Sequence, residues 1–244
     1  MTAAAVAGFL PSTSGFRFAN DFPHVPLLSI GVPGVVRVPI GDAANGLCGG
    51  MAFAVRDLFE AGRPPPGETE PPPEGSPLFE FLVRRLMDSF DLPSGPVRYL
   101  ELMDPVLPDG ETWLSRIGLA PHGRAWRMVR QEWPTIKADI DAGRLSTLGL
   151  VKVKSVNPFD LGKDHQVLAY GYDLSGTRLS LSLYDPNWPL RDDVRMSIDV
   201  GHPGSPATVS YAPADERPVI SFFRTEYRRA VPPAGVTRDV PLGA

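Results

Sequence analysis

The sequence is poor in cysteine, in clusters of positive charge and in long apolar segments, and each shortage excludes a class of protein. Cys48 is the only cysteine in 244 residues, so the chain cannot form an internal disulfide, which favours a reducing compartment. No apolar run reaches the roughly 20 residues needed to span a bilayer. The apolar N-terminus also lacks the basic stretch of a signal peptide, because its first arginine is Arg17. These features predict a cytoplasmic protein with no membrane partner.

The charge balance argues against nucleic-acid binding. The formal net charge is −4, with 24 Lys and Arg against 28 Asp and Glu, and no basic patch stands out. No glycine-rich phosphate loop is present. His24, His122 and His202 lie in loops flanked by Pro or Gly, without a partner at metal-ligand spacing. The sequence therefore predicts neither a metal nor another cofactor.

Helical patterns come first along the chain and strand patterns follow, which predicts an α+β fold. We expect N-terminal helices packed on a C-terminal antiparallel β-sheet. Residues 1–33 are predicted to form an N-terminal arm, and residues 34–244 a single domain. The proline-rich stretch 63–75 predicts a semi-rigid surface loop within that domain.

Three helices carry apolar residues at the spacing of one buried face. The first follows Cys48, and Asn45 is its predicted N-cap. The second follows the predicted N-cap Ser76, and the third spans roughly residues 124–142, where Pro134 predicts a kink. Residues 104–123 are predicted to be a loop. The predicted strands are 34–40, 97–103, 148–153, 165–172, 178–184, 194–200 and 219–227.

Cys48 stands at the start of the first predicted helix, a position that favours thiol chemistry. A helix N-terminus and a nearby imidazolium both lower the pKa of a thiol, and the thiolate is the nucleophile. The glycines that follow, Gly49 and Gly50, allow either a close approach of another chain segment or a tight turn. A buried core thiol is the alternative interpretation of Cys48, because cysteine is among the most often buried residues.

The predicted hairpin supplies a histidine and an acid. If its turn pairs Asp173 with Thr177, His165 lies opposite Asp185 on one face of the sheet. The carboxylate would then hold the Nδ1–H of the imidazole and fix its tautomer. A shift of one residue in register would turn Asp185 to the other face, in which case Asn187 is the candidate orienting group.

Together these motifs resemble the papain-like cysteine peptidases, and in particular their peptidase C39-like branch. The resemblance is carried by Cys48 at a helix start, by His-Gln-Val-Leu-Ala-Tyr-Gly-Tyr at 165–172 and by Tyr-Asp-Pro at 184–186. Residues 136–144 and the strand 148–153 are similar to the helix and strand that precede the histidine of that family. The order and spacing of the motifs carry more weight than any one of them.

The resemblance implies a papain-like fold and a cysteine hydrolase or acyltransferase that acts on a peptide or other amide bond through an acyl-enzyme. Cys48 would be the nucleophile, His165 the general base and Asp185 the orienting acid. A peptide or protein would be the substrate.

One position departs from the family pattern. The family places a glutamine six residues before its cysteine, where the amide helps to hold the oxyanion, and here that position is Asp42. A carboxylate cannot donate to an oxyanion unless it is protonated, and the loss of one oxyanion donor costs about 3–4 kcal/mol of transition-state stabilisation. Asn45, with the backbone N–H of Cys48, is the candidate replacement. The alternative is a catalytically inactive papain-like fold that binds peptides or proteins.

Overall fold

A computed structural model describes residues 1–22, 26–30, 38–42, 47–91, 94–214 and 217–236. The α-helices are α1 Pro11–Ser14, α2 Cys48–Glu60, α3 Pro77–Ser89, α4 Ser94–Met103, α5 Trp113–Arg116, α6 Arg124–Trp126 and α7 Trp133–Asp141. The strands are β1 Thr2–Ala5, β2 Pro26–Ile30, β3 Val38–Asp42, β4 Ser146–Val151, β5 His165–Ser175, β6 Arg178–Tyr184, β7 Arg195–Asp199, β8 Ser210–Ala212 and β9 Ser221–Arg224. A π-helical segment, Arg127–Glu132, joins α6 to α7, and a 3-10 helix, Pro158–Lys163, precedes β5.

The main sheet is antiparallel, with strand order β8-β7-β6-β5-β4-β9. The first strand of the chain, β1, pairs with the second half of β5, from Thr2 opposite Leu174 to Ala5 opposite Gly171. Strands β2 and β3 form a separate two-stranded sheet. The chain is therefore an α+β protein. Among the described residues, no helix combines the length and the apolar character needed to cross a membrane.

Helices cover both faces of the main sheet. Alternate residues of a strand point to opposite faces, and β5 shows this clearly. Leu168 and Tyr170 pack with α2 and α3 in one core cluster, whereas Val167 and Ala169 pack with α7 in another. The pairing of β5 with β6 shifts between Ala169 and Gly171, a bulge that changes which residues face each other beyond it.

Glycines allow α2 and α3 to pack closely. A Cβ at Gly50 would lie 2.1 Å from the carbonyl oxygen of Leu82, and one at Gly49 would lie 2.3 Å from Oγ of Ser89. These are the start of α2 and the second half of α3, so the two helices run antiparallel. Of the two explanations for the glycine pair, the structure supports close approach.

The N-terminal segment contributes to the core. Phe9, Phe16, Phe18 and Phe22 are at most 4% exposed and belong to the cluster around α2 and α3. Strand β1 also pairs with β5 of the main sheet. Residues 1–22 therefore belong to the fold both through the core and through the sheet.

A buried ion pair fastens the C-terminal segment to α2 and α3. Nε of Arg85 lies 2.6 Å from Oδ2 of Asp57, and both side chains are nearly inaccessible. The hydroxyl of Tyr227 and the N–H of Ala230 donate to Oδ1 of Asp57 at 2.6 and 2.9 Å. The carboxylate thus joins two helices and the last described stretch of chain.

The strand predicted at 97–103 is wrong, because this segment is helix α4. Its buried residues are Pro96, Tyr99, Leu102 and Met103, a spacing of three and four that belongs to a helix rather than to a strand. Pro96 lies in the first turn, where a helix tolerates proline because no intrahelical N–H bond is lost.

Most other predicted elements are confirmed, with shifted ends. The loop predicted at 104–123 contains the short helix α5, and the short edge strand β8 was not predicted. Ser76 caps α3, since its Oγ accepts the N–H of Phe79 at 3.3 Å. The third predicted helix is present, and π-helical pairing rather than a break precedes Pro134. Residues 63–75 connect α2 to α3 without helix or strand.

Candidate active site

Cys48 is the first residue of α2 and is buried. The residue is 8% exposed, whereas Leu47 and Met51 beside it are fully buried. The N–H groups of a first helical turn have no intrahelical acceptor, so they favour negative charge at this position. The sulfur also accepts backbone hydrogen bonds from Gly49 and Gln166. The local environment therefore stabilises a thiolate.

The cap of this helix differs from the sequence prediction. Leu47 occupies the N-cap position and offers no side-chain bond of its own. Its backbone N–H instead donates to Oδ1 of Asn20, at 2.6 Å. The predicted cap, Asn45, lies outside the described residues. An asparagine 27 residues earlier in the chain therefore satisfies the N–H that precedes the cysteine.

His165 opens β5 and is 5% exposed. Two backbone contacts fix this end of the strand. Tyr99 donates its hydroxyl to the carbonyl oxygen of His165 at 3.3 Å, and Oδ1 of Asp164 accepts the N–H of Lys152 at 2.8 Å. The start of β5 is thus tied to α4 and to the chain just after β4. The imidazole therefore projects from a fixed point of the backbone.

The imidazole of His165 bonds to Asp185 on one side and to Cys48 on the other. Nε2 lies 2.7 Å from Oδ1 of Asp185. The thiol of Cys48 is the second side-chain partner of the ring, which leaves Nδ1 to face the sulfur. The predicted contact with Asp185 is therefore present, but its predicted atom, Nδ1, is wrong. The structure brings a thiol, an imidazole and a carboxylate together in a single chain of contacts.

The register that suggested this contact is also wrong. Asp173 pairs with Ser180, not with Thr177, and the last paired residues are Leu168 and Tyr184. Asp185 follows the end of β6 and opens a turn that the N–H of Trp188 closes onto its carbonyl oxygen at 2.9 Å. Asp185 is thus not paired within the sheet. Its carboxylate reaches the imidazole of His165 from this turn.

Asp185 is fully buried and accepts two further hydrogen bonds. Its Oδ1 accepts the backbone N–H of Asn187 at 2.9 Å, and its Oδ2 accepts the hydroxyl of Tyr211 at 2.6 Å. Tyr211 belongs to β8 at the edge of the sheet. Sequence analysis missed it, because no local pattern relates a tyrosine in a three-residue strand to an acid 26 residues earlier.

Asn187, the alternative orienting group, does not join the contact chain through its side chain. The amide oxygen of Asn187 accepts Nδ2 of Asn20 at 3.1 Å, so Asn187 does not replace Asp185 as the orienting group. Asp42 ends β3, with its backbone opposite Pro26. The side chain of Asp42, like the whole of Asn45, lies outside the described residues.

The electrostatics of Cys48 and His165 favour the charged pair. Burial alone opposes ionisation of the thiol and is the largest single influence. The charge and hydrogen bond of His165, with two backbone N–H groups, outweigh it and lower the pKa of Cys48. Burial also opposes a charged imidazole, but Asp185 and the thiolate raise the pKa of His165 to about 10. Thiolate and imidazolium therefore coexist between the two ionisations.

The raised pKa of His165 links this site to folding. The pKa in the fold, about 10, lies above the ordinary value of 6.5. The contribution of His165 to the free energy of unfolding is therefore fully present below pH 6.5 and is lost as the pH rises through about 10. Asp185 stays ionised: burial opposes its charge, but His165, Tyr211 and the N–H of Asn187 together lower its pKa.

This arrangement holds a nucleophile and a proton donor side by side. A thiolate can attack a carbonyl carbon, and the adjacent imidazolium can protonate a leaving group. Within the described ranges, no group of three or more His, Cys, Asp or Glu side chains could hold a metal ion.

No family model, curated protein or solved structure matches this chain.

Proposed function

We propose that the protein is a cysteine-nucleophile hydrolase or acyltransferase that acts on a peptide or other amide bond. The observation that carries the proposal is the contact chain from Cys48 through His165 to Asp185, with the imidazole held at 2.7 Å by the carboxylate. Its charges favour thiolate and imidazolium together. A core thiol would need neither a buried imidazole nor a buried carboxylate beside it.

The proposed reaction has two halves. The Cys48 thiolate attacks the amide carbonyl carbon, and the C–N bond breaks as His165 gives its proton to the departing amine. A thioester between Cys48 and the acyl group remains. His165, now neutral, takes a proton from water or from an acceptor amine as that molecule attacks the thioester. The C–S bond then breaks, which restores the thiolate and the imidazolium.

Asp185 orients the imidazole in this scheme rather than moving a proton. Its contact with Nε2 leaves Nδ1 directed at the sulfur, and its charge stabilises the imidazolium. The backbone N–H of Cys48, at the start of α2, is a donor for the oxyanion.

We further propose that the fold is papain-like. Three features support this: the cysteine opens a helix, the histidine opens a strand, and the acid follows the next strand. The substrate class that goes with such a fold is a peptide or protein. The single cysteine is consistent with action in the cytoplasm.

A peptide aldehyde probe tests the proposal, because the aldehyde forms a reversible bond to an active thiolate. We expect the wild-type protein to bind the probe covalently, Cys48→Ala to lose binding, and His165→Ala to bind far more weakly. Cys48 is the only cysteine, so intact mass spectrometry reports this site alone. Equal labelling of wild type and His165→Ala would contradict the proposal.

A second candidate function is a peptide-binding module without turnover. It is favoured by Asp42, which stands where the resembling family has its oxyanion glutamine. The two candidates differ in the acyl-enzyme. An activated peptide ester that leaves a stable acyl mass on Cys48, followed by its release, supports the enzyme. Peptide binding that is identical in wild type and Cys48→Ala, with no acyl mass, supports the module.

A further inference from the structure

We propose that Asn20 is a positioning residue of this site, and that the N-terminal segment thereby takes part in its chemistry. The inference rests on the proposed function. It goes beyond that function because Asn20 belongs to none of the motifs that suggest a cysteine nucleophile, and because it touches none of the three reacting groups.

Asn20 bonds to both halves of the site at once. Its Oδ1 accepts the N–H of Leu47, the residue before Cys48, at 2.6 Å. Its Nδ2 donates to Oδ1 of Asn187 at 3.1 Å, and its own backbone N–H donates to the carbonyl oxygen of Pro186 at 2.9 Å. One residue therefore joins the chain just before the nucleophile to the chain just after the acid.

The two segments that Asn20 joins carry the ends of the contact chain. Leu47 is the fully buried cap residue of α2, so its position sets where the sulfur of Cys48 lies. Pro186 and Asn187 follow Asp185 directly, and the N–H of Asn187 donates to the carboxylate itself. A change in the spacing of these segments would move the sulfur relative to the ring that the carboxylate holds.

The surroundings of Asn20 keep it in place. Phe18 and Phe22, two residues before and after it, are 1% and 4% exposed. Their rings contact each other edge to face with centroids 6.3 Å apart, and Phe18 stacks on Phe16 at 5.0 Å. Aromatic burial thus anchors the backbone on both sides of a polar residue that is itself partly exposed. The bridge is therefore anchored in the core on both sides of Asn20.

The test compares Asn20→Ala with wild type in the rate of Cys48 alkylation by iodoacetamide as a function of pH. We expect the wild-type midpoint below the value of about 8.5 for a free thiol. Loss of the bridge misplaces the sulfur, so in Asn20→Ala we expect the midpoint to rise toward that value. At neutral pH the variant should react roughly tenfold to a hundredfold more slowly.

Ser76→Ala is the matched control. It removes a single cap bond, from the N–H of Phe79 to Oγ of Ser76, at the far end of the α2–α3 pair. We expect it to lower the melting temperature while leaving the alkylation profile in place. An equal shift of the alkylation profile in Ser76→Ala and Asn20→Ala would mean that a general loss of stability, and not loss of the bridge, causes the shift. That result would overturn the inference.

A second variant keeps the inference testable if Asn20→Ala does not fold. Asn187→Ala removes the partner of Nδ2 but leaves Leu47 its acceptor. We expect a smaller shift in the same direction, and less than additive effects in the double variant, because both changes break the same bridge. Full additivity, or an unchanged profile in Asn187→Ala when Asn20→Ala does not fold, would overturn the inference.

The failure of this inference and that of the proposed function are distinguishable. A shifted wild-type profile that Asn20→Ala leaves in place overturns the role of Asn20 alone. A wild-type profile with the midpoint of an ordinary thiol overturns the proposed function and removes the positioning role with it.

Discussion

Two carboxylates of this protein, Asp57 and Asp185, are both fully buried, yet their surroundings give them opposite character. Asp57 meets a permanently charged arginine, a tyrosine and a backbone N–H, and burial still raises its pKa. Asp185 likewise meets a cation, a tyrosine and a backbone N–H, but its pKa is lowered. The difference lies in what opposes burial: the charge and hydrogen bond of His165 act most strongly on Asp185, whereas at Asp57 the charge of Arg85 ranks behind the bonds from Tyr227 and Ala230.

The comparison separates a structural cluster from a chemical one. The Asp57 cluster ends in the C-terminal chain, whose backbone it fastens to two helices. The Asp185 cluster ends in the thiol of Cys48, a buried residue that is 8% exposed. A proton moved within the second cluster changes the charge beside the Cys48 thiol, whereas one moved within the first changes the charges that hold the C-terminal chain.

The largest expected effect comes from Asp185→Asn. The amide keeps the size of the side chain but removes the charge that holds His165 as an imidazolium, so we expect the acylation rate to fall by roughly 10⁴-fold. Burst kinetics with an activated peptide ester measure this rate. A variant that acylates within a few-fold of wild type would show that Asp185 is merely a buried structural acid like Asp57.

The next effect is on stability. Arg85→Met removes the cation from the Asp57 cluster and leaves a buried carboxylate without its main partner, so we expect a loss of about 3–5 kcal/mol in the free energy of unfolding. Urea denaturation measures it. The alkylation profile of Cys48 should stay as in wild type, and a shift in that profile would break the division between the two clusters.

The smallest effect is expected from Tyr211→Phe. The phenol donates to ionised Asp185 at 2.6 Å, and a hydrogen bond to a charged group is worth about 1.5–3 kcal/mol. We expect about a tenfold slower acylation, in the same direction as Asp185→Asn. The matched change in the other cluster, Tyr227→Phe, should lower stability and leave the acylation rate unchanged.

The sequence predicted which three side chains meet better than it predicted how they meet. Cys48, His165 and Asp185 were predicted from local motifs, since each stands at the start or the end of a helix or strand. The register that placed His165 opposite Asp185 was wrong, because the hairpin turns between Ser175 and Arg178 and a bulge after Ala169 shifts the pairing by one residue. Local residue patterns do not show where a bulge falls. The contact between His165 and Asp185 nevertheless forms, because the turn at Asp185 brings the carboxylate to the imidazole.

Sequence patterns could not predict the contacts between residues that are distant in the chain. Asn20 and Tyr211 reach the site from 27 and 26 residues away in the chain, through side chains that no periodicity marks. The strand predicted at 97–103 failed for a related reason. Its apolar residues suit either period over so short a segment, and packing of Tyr99 and Leu102 with Val151, Leu161 and Phe223 decides for the helix.

The ionisation of Cys48 is the most direct test of the account. The thiolate–imidazolium pair predicts that alkylation of wild-type protein has a midpoint below about 8.5, and that its rate changes again near pH 10 as His165 loses its proton. His165→Ala should move the midpoint above that of a free thiol, because burial then acts on the sulfur without an opposing charge. A single wild-type transition at or above about 8.5, unchanged in His165→Ala, would contradict the thiolate–imidazolium pair.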